Sequence, residues 1–165
     1  MFTLRKADIC DCRLIHALAE QVFPQTYAEI LEKEQIDYMM NWMYSLPSIQ
    51  KQMEEEGQVY FIAYEECEAC GYISIQREDE NLFHLQKIYV LPYFQHEHCG
   101  RFLFDAAIGY IKEVHPAPCR MELNVNRYNK ALDFYKHLGM KVVSQGDFAI
   151  GNGYFMNDYI MSIDV

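Results

Sequence analysis

The sequence is short of basic residues: 14 Lys and Arg against 24 Asp and Glu leave a formal net charge of −10. Proteins that grip nucleic-acid backbones cluster Lys and Arg, so this balance excludes nucleic acid as a partner. It suits a cationic substrate such as an amine, although solvated runs such as Glu54-Glu55-Glu56 and Glu65-Glu66 also account for it. No apolar run approaches the roughly 20 residues of a membrane span. Residues 1–6 reach acidic neighbours quickly and hold no hydrophobic signal region, so a cytoplasmic protein that keeps away from membranes is expected. No repeat is present, and no stretch rich in Pro, Gly or Ser divides the chain, which reads as one domain over residues 1–165. What is abundant is apolar surface: 51% hydrophobic residues, with 13 Tyr and 10 Phe, exclude disorder and supply a core without disulfides.

Six cysteines, Cys10, Cys12, Cys67, Cys70, Cys99 and Cys119, are read as reduced thiols that pack as small hydrophobes. Cys67 and Cys70 have the C-x-x-C spacing of metal and redox sites, but the second pair that a four-ligand zinc site needs is lacking. Both are expected to flank a hairpin turn. No metal is assigned.

Periodicity orders the chain. Residues 2–5 read as a strand, and Asp8 as the cap of a helix to about Phe23, with Leu14, Leu18 and Val22 on one face. A second helix is expected over 27–44, and a short one after the interruption at Pro47. Strands are expected over 59–64, 71–75 and 83–91, the first two joined by an acidic turn. Then come a helix over 98–114, a strand over 121–125, a helix over 130–138 closed by Gly139, and strands over 141–143 and 154–163. Such an order, β-α-α-β-β-β-α-β-α-β-β, packs as an α/β protein with helices on both sides of a mixed sheet.

One segment carries chemistry. After the strand ending near Val90, a polar loop, Gln95-His96-Glu97-His98-Cys99-Gly100, leads into the helix that Arg101 enters. Free N–H groups and the helix dipole make such a junction an anion site. Gly100 permits close backbone approach, and Arg101 adds a charge-assisted contact. The crowding of His96, His98 and Cys99 also offers a transition-metal donor set, which would make the chain a metal-binding regulatory module.

The loop resembles the coenzyme A loop of the GNAT N-acetyltransferase superfamily, Gln/Arg-x-x-Gly-x-Gly/Ala. Gln95 and Gly100 match its ends, and His98 stands where the first Gly is usual. About 30 residues downstream, Asn129, Ala131, Phe134, Tyr135 and Gly139 are similar to that family's Asn-x-x-Ala-x-x-Phe-Tyr-x-x-x-Gly-Phe helix, with Asn129 one residue closer to Ala131. The strings Phe23-Pro24-Gln25-Thr26-Tyr27 and Gly71-Tyr72-Ile73-Ser74-Ile75-Gln76 resemble bacterial polyamine acetyltransferases of the PaiA type. The resemblance implies a central, twisted, mostly antiparallel mixed sheet of about seven strands that splays where acetyl-CoA enters. It also implies transfer of an acetyl group, in a ternary complex, to a primary amine of a small molecule or peptide. Dimers are common in the superfamily.

The same resemblance assigns roles. Ile88, Tyr89 and Val90 would pair with the pantetheine, the Val90 N–H acting as oxyanion donor. His96, Glu97, His98, Cys99, Gly100 and Arg101, with Gln95, would hold the pyrophosphate, and Asn129 and Ala131 would touch the cofactor. Tyr135 would protonate the departing thiolate. On an unbroken strand His84, Gln86, Ile88 and Val90 share a face, which would make His84 the base, with Glu122 a weaker candidate. The turn around Gly151 and Gly153 brings Asn157 and Asp158 forward as acceptor-selecting residues, and Tyr27, Tyr38 and Tyr44 as pocket aromatics. A chain that binds acyl-CoA as a sensor, without transfer, is the remaining alternative.

Overall fold

The computed structural model describes residues 1–165. Strand β1 (Phe2–Lys6) leads through a 3-10 turn (Ile9–Asp11) into helices α1 (Cys12–Tyr27), α2 (Lys33–Tyr44) and α3 (Leu46–Glu54). Strands β2 (Gln58–Glu65), β3 (Glu68–Asp79) and β4 (Leu82–Val90) follow, then α4 (Cys99–Val114), β5 (Arg120–Asn126), α5 (Ala131–His137), β6 (Lys141–Gly151) and β7 (Tyr154–Asp164).

Local chemistry explains these bounds. Asp8 and Asp11 form a reciprocal capping box at the first turn, with Asp11 held in addition by a two-pronged ion pair from Arg5 at 2.8 and 2.9 Å. The helix expected to stop near Phe23 runs through Pro24 to Tyr27. Pro24 gives up one N–H, but the Thr26 hydroxyl bonds the Val22 carbonyl at 2.8 Å and the turn continues. Tyr27 therefore closes α1 instead of opening the next helix. Pro47 initiates α3 from its first turn, behind the Ser45 cap, because a missing N–H costs nothing there.

All seven strands join one sheet in the order β1-β2-β3-β4-β5-β7-β6. Every pairing is antiparallel except β4 with β5. Helices α1 to α3 cover one face, where Tyr27 meets Tyr89, and Tyr44 and Gln52 approach Lys87. Helix α4 covers the other, packing Tyr110 on Phe61 and Leu103 against Gly71. Burying both faces of the inner strands gives β2 and β3 their runs of apolar and aromatic residues.

Two irregularities in β4 shape everything downstream. Ser74 pairs with Lys87 but Ile75 pairs with Leu85, so Gln86 is an extra residue and the strand bulges. A one-residue insertion reverses which face later side chains meet. Ile88 and Val90 pair with Ile73 and Gly71 on the α4 face, while His84 pairs with Gln76 and shares its face with Lys87 and Tyr89. The expectation that His84, Gln86, Ile88 and Val90 lie on one face fails for this reason. Second, β4 and β5 pair only from Leu82 to His84 against Arg120 to Glu122, and then part.

Gly71 lets β3 and β4 meet beside the opening. A Cβ there would stand 2.6 Å from the Tyr89 carbonyl oxygen and 3.0 Å from Leu103 Cδ1. Backbone atoms cannot yield as a flexible side chain does, so Gly71→Ala is expected to cost about 2–3 kcal/mol, measured as a drop in urea midpoint at unchanged slope.

Candidate active site

Where β4 and β5 part, a cleft of about 1230 Å³ opens, lined by β4 from Leu85 to Val90, by Leu123 to Val125 of β5, by the start of α4, by α5 and by the end of α1. Its strand edge is exposed backbone. The Leu91 N–H donates to Cys70 at 2.8 Å, and Val90 lies opposite Gly71. Antiparallel alternation then turns the polar groups of Val90 away from β3, toward the gap left by β5. The Gln95 amide confirms that direction by donating to the Val90 carbonyl at 3.1 Å, a bond that ties the loop to the strand.

At the far end lies the loop. His98 caps α4 with φ 64° and ψ 16°, so a histidine occupies the left-handed conformation that glycine adopts freely. His98 is one of three residues other than glycine with positive φ in the chain, with Glu66 and Asn152. His96, His98, Gly100 and Arg101 line the cleft, and the exposed Lys130 adds a second full positive charge. The 16-residue α4 points its N-terminus at the same end, which suits a pyrophosphate. Gly100 has a further reason to be small: its Cβ would lie 3.1 Å from the Phe134 ring, where α5 rests on α4.

Cys99 and Glu97 behave differently. The Cys99 thiol points into the core, 3.5 Å from the thiol of Cys70, and only its backbone is left for a ligand. His96, His98 and Cys99 thus do not converge, and no group of three His, Cys, Asp or Glu side chains is arranged to hold a metal. Glu97 is exposed and does not line the cleft. Cys67 sits in the turn itself, while Cys70 is buried in β3, so the C-x-x-C spacing brings no pair together.

Ala131 opens α5, its N–H bonded by the Asn129 side chain at 2.9 Å, and both line the cleft. One turn on, Tyr135 projects into it, and no protein group engages its hydroxyl. Burial, with the nearby Tyr27, raises the Tyr135 pKa. A phenol near 10 is already a weaker acid than a thiol near 8.5, so burial makes a full proton transfer to sulfur still less favourable alone. The hydroxyl is placed to donate a hydrogen bond, with the net proton coming from elsewhere. Tyr27 and Tyr89 also line the cleft, with hydroxyls 3.3 Å apart.

His84 does not line the cleft. It lies back along β4, with Nδ1 2.8 Å from Glu78 Oε1, and burial lowers its pKa against the pull of Glu78 and Glu122. Glu122, bridged beside it, does not line the cleft either.

Lys87 escaped the reading of the sequence. It is buried, donates to Gln52 Oε1 at 3.0 Å and Gln58 Oε1 at 2.9 Å, and faces the rings of Tyr44 and Tyr60. With no carboxylate beside it, burial pushes its pKa down to about 7. Only the register of the bulged strand reveals this, because in the sequence Lys87 sits in an otherwise polar-apolar run.

Known proteins agree with this geometry. The family model described as acetyltransferase (GNAT) domain matches residues 27–161. No curated protein matches the sequence. Among solved structures, PaiA N-acetyltransferase from Thermoplasma acidophilum, in complex with coenzyme A, superposes with a TM-score of 0.81 at 24% identity, over 100% of this chain and 99% of that one. Ribosomal-protein-S18-alanine N-acetyltransferase from Escherichia coli gives 0.74 at 16%, over 100% and 94%. A mutant of spermidine N-acetyltransferase SpeG from Vibrio cholerae gives 0.69 at 18%, over 99% and 93%. An α/β sheet split at its middle, with a helix start at one end of the split, is the fold of an acyltransferase. The chain belongs to the GNAT acetyltransferase family. No helix in it is long and apolar enough to cross a membrane.

Two outcomes follow from the site. His98→Gly relieves the left-handed backbone and is expected to raise stability by about 1 kcal/mol in urea denaturation, with coenzyme A binding retained. Lys87→Met leaves Gln52 bonded to Tyr60 and Gln58 bonded to Ser74, so the fold tolerates it. An unfolded Lys87 binds a proton below about pH 10.5, the folded one only below about 7. Wild-type stability therefore falls, relative to that variant, by about 1 kcal/mol per unit as pH drops from 9 to 7.5, read from denaturation curves of both proteins.

Proposed function

We propose that this protein transfers the acetyl group of acetyl-CoA to a primary amine, directly, within a ternary complex. The observation that carries the reading is the parting of β4 and β5 over a cleft that has a free strand edge at Val90, an anion-binding helix start at one end and hydroxyls at the other. The pyrophosphate would lie on the His98–Gly100 backbone with Arg101 and Lys130 beside it, and the pantetheine would pair with Val90 and its neighbours. That aligns the thioester against the acceptor, the entropic part of catalysis. The Val90 N–H would meet the developing oxyanion.

Tyr135 would hydrogen-bond the departing sulfur as the amine's proton is passed to it. PaiA and SpeG, the latter named for acetylation of spermidine, share the fold at low identity. Together with the net charge of −10 they support a cationic small-molecule amine as the acceptor.

The test is thiol release from acetyl-CoA across polyamines, amino acids and short peptides. Wild type is expected to turn over at least one amine, and coenzyme A to raise its melting temperature. Tyr135→Phe should keep that thermal shift and lower kcat by about 100-fold. No thiol release from any amine, with no thermal shift, would sink the reading.

A further inference from the structure

Among the side-chain oxygens and nitrogens closed off from solvent, one has no hydrogen-bond partner: Oδ1 of Asp158, on β7. Its residue is only 6% exposed. Buried polar atoms are normally satisfied, and a buried carboxylate without a counter-charge is costly, so this one calls for a ligand. Asp158 pairs with Asn126 across the ladder and shares a face with Asn124, whose amide donates to Oδ2 at 3.3 Å. Asn124 is exposed and lines the cleft, whereas Asp158 does not line it and lies behind Asn124, to which it is bonded.

The other groups facing Asp158 are few. From α1, Tyr27 lies within its field, and Asp158 contributes to raising the Tyr27 pKa. Arg127 is the nearest cation, but its guanidinium is engaged by Asp147 at 2.8 Å and bonds the Gly146 carbonyl. Burial raises the carboxyl pKa of Asp158 against the smaller pull of Asn124 and Arg127. The carboxylate is thus held behind Asn124, within the electrostatic reach of Tyr27, with one buried oxygen unpartnered and its cation spent elsewhere.

We infer that Asp158 receives the acceptor: once the exposed Asn124 side chain moves aside, its unpartnered oxygen binds the ammonium of a cationic primary amine near Tyr27 and takes the first proton from it. The inference rests on the acetyl-transfer reading above. The amine enters as R–NH3+ and gives one proton to the Asp158 carboxylate. Its freed lone pair attacks the thioester carbonyl, forming the C–N bond, and collapse of the adduct breaks the C–S bond. The second nitrogen proton ends on the sulfur, assisted by the Tyr135 hydroxyl, and the proton held by Asp158 leaves to solvent. The products are the amide, the free thiol and one proton.

Asp158→Asn keeps the shape and the bond to Asn124 while removing the charge. It should fold with a melting temperature no lower than wild type, because an unpaired buried carboxylate is lost, and coenzyme A should still raise that temperature. With the amine that wild type acetylates best, kcat/KM should fall by about 100-fold or more, and the acid limb of its pH profile should disappear. Asp158→Glu should recover part of the rate and the limb. In the wild type bound to coenzyme A, the 13C carboxyl resonance of Asp158 should shift on adding that amine, a measurement that stands even if the variant fails to fold. Turnover by Asp158→Asn at the wild-type rate with an unchanged pH profile, or a carboxyl resonance indifferent to the amine, overturns the inference and leaves acetyl transfer standing. A wild type that neither releases thiol with any amine nor gains thermal stability from coenzyme A overturns both.

Discussion

Three bridged residues hold β4 to β5, and the sheet then opens. Parallel strands normally continue their ladder until one of them ends, yet β4 runs six residues past His84 and β5 four past Glu122 with no pairing between them. The polar backbone exposed by that gap cannot stay bare in a folded interior without cost, and a ligand with amides of its own is a natural partner for it. Every feature of the cleft depends on this opening. The free edge at Val90 exists because β5 has turned away. Helix α4 begins at one end of the gap because the chain leaves β4 there, and α5 reaches the cleft because it follows directly from β5.

The bulge at Gln86 is the second determinant. It swings Lys87 and Tyr89 to the face covered by α1 to α3, where the aromatic cluster of Tyr27, Tyr44, Tyr60 and Tyr72 receives them. It also puts His84 on the face opposite Ile88 and Val90. A histidine three alternations before Val90 reads as a neighbour only if the strand is regular.

Much of this was legible beforehand and some was not. Alternation and helical periodicity located every strand and helix, because apolar faces must match the elements that bury them. Residues on the loop and on α5 were legible through their order and type, and nearly all of them line the cleft. Cys99 and Glu97 were not, since a loop that winds into a helix turns successive side chains in different directions. The bulge left no mark in composition, and neither His84's displacement nor Lys87's burial could be read without it. Asp158 stood out only as part of a turn-rich tail. Its isolation is a property of β7, whose hairpin with β6 is fastened over α2 by Tyr38 to the Ile150 carbonyl and Gln35 to the Phe155 carbonyl. That long-range docking has no local signature.

The contact between Gly100 and Phe134 links two parts of the cleft. It joins the helix start that would grip the phosphates to the short helix that carries Tyr135, closely enough that a methyl group between them would have to push the ring aside. The two halves of the cleft are consequently not independent grips. A side chain at position 100 would therefore push on the helix that carries Tyr135 as well as crowd the helix start. One ring resting on one glycine thus makes the two ends of the cleft a single packed unit.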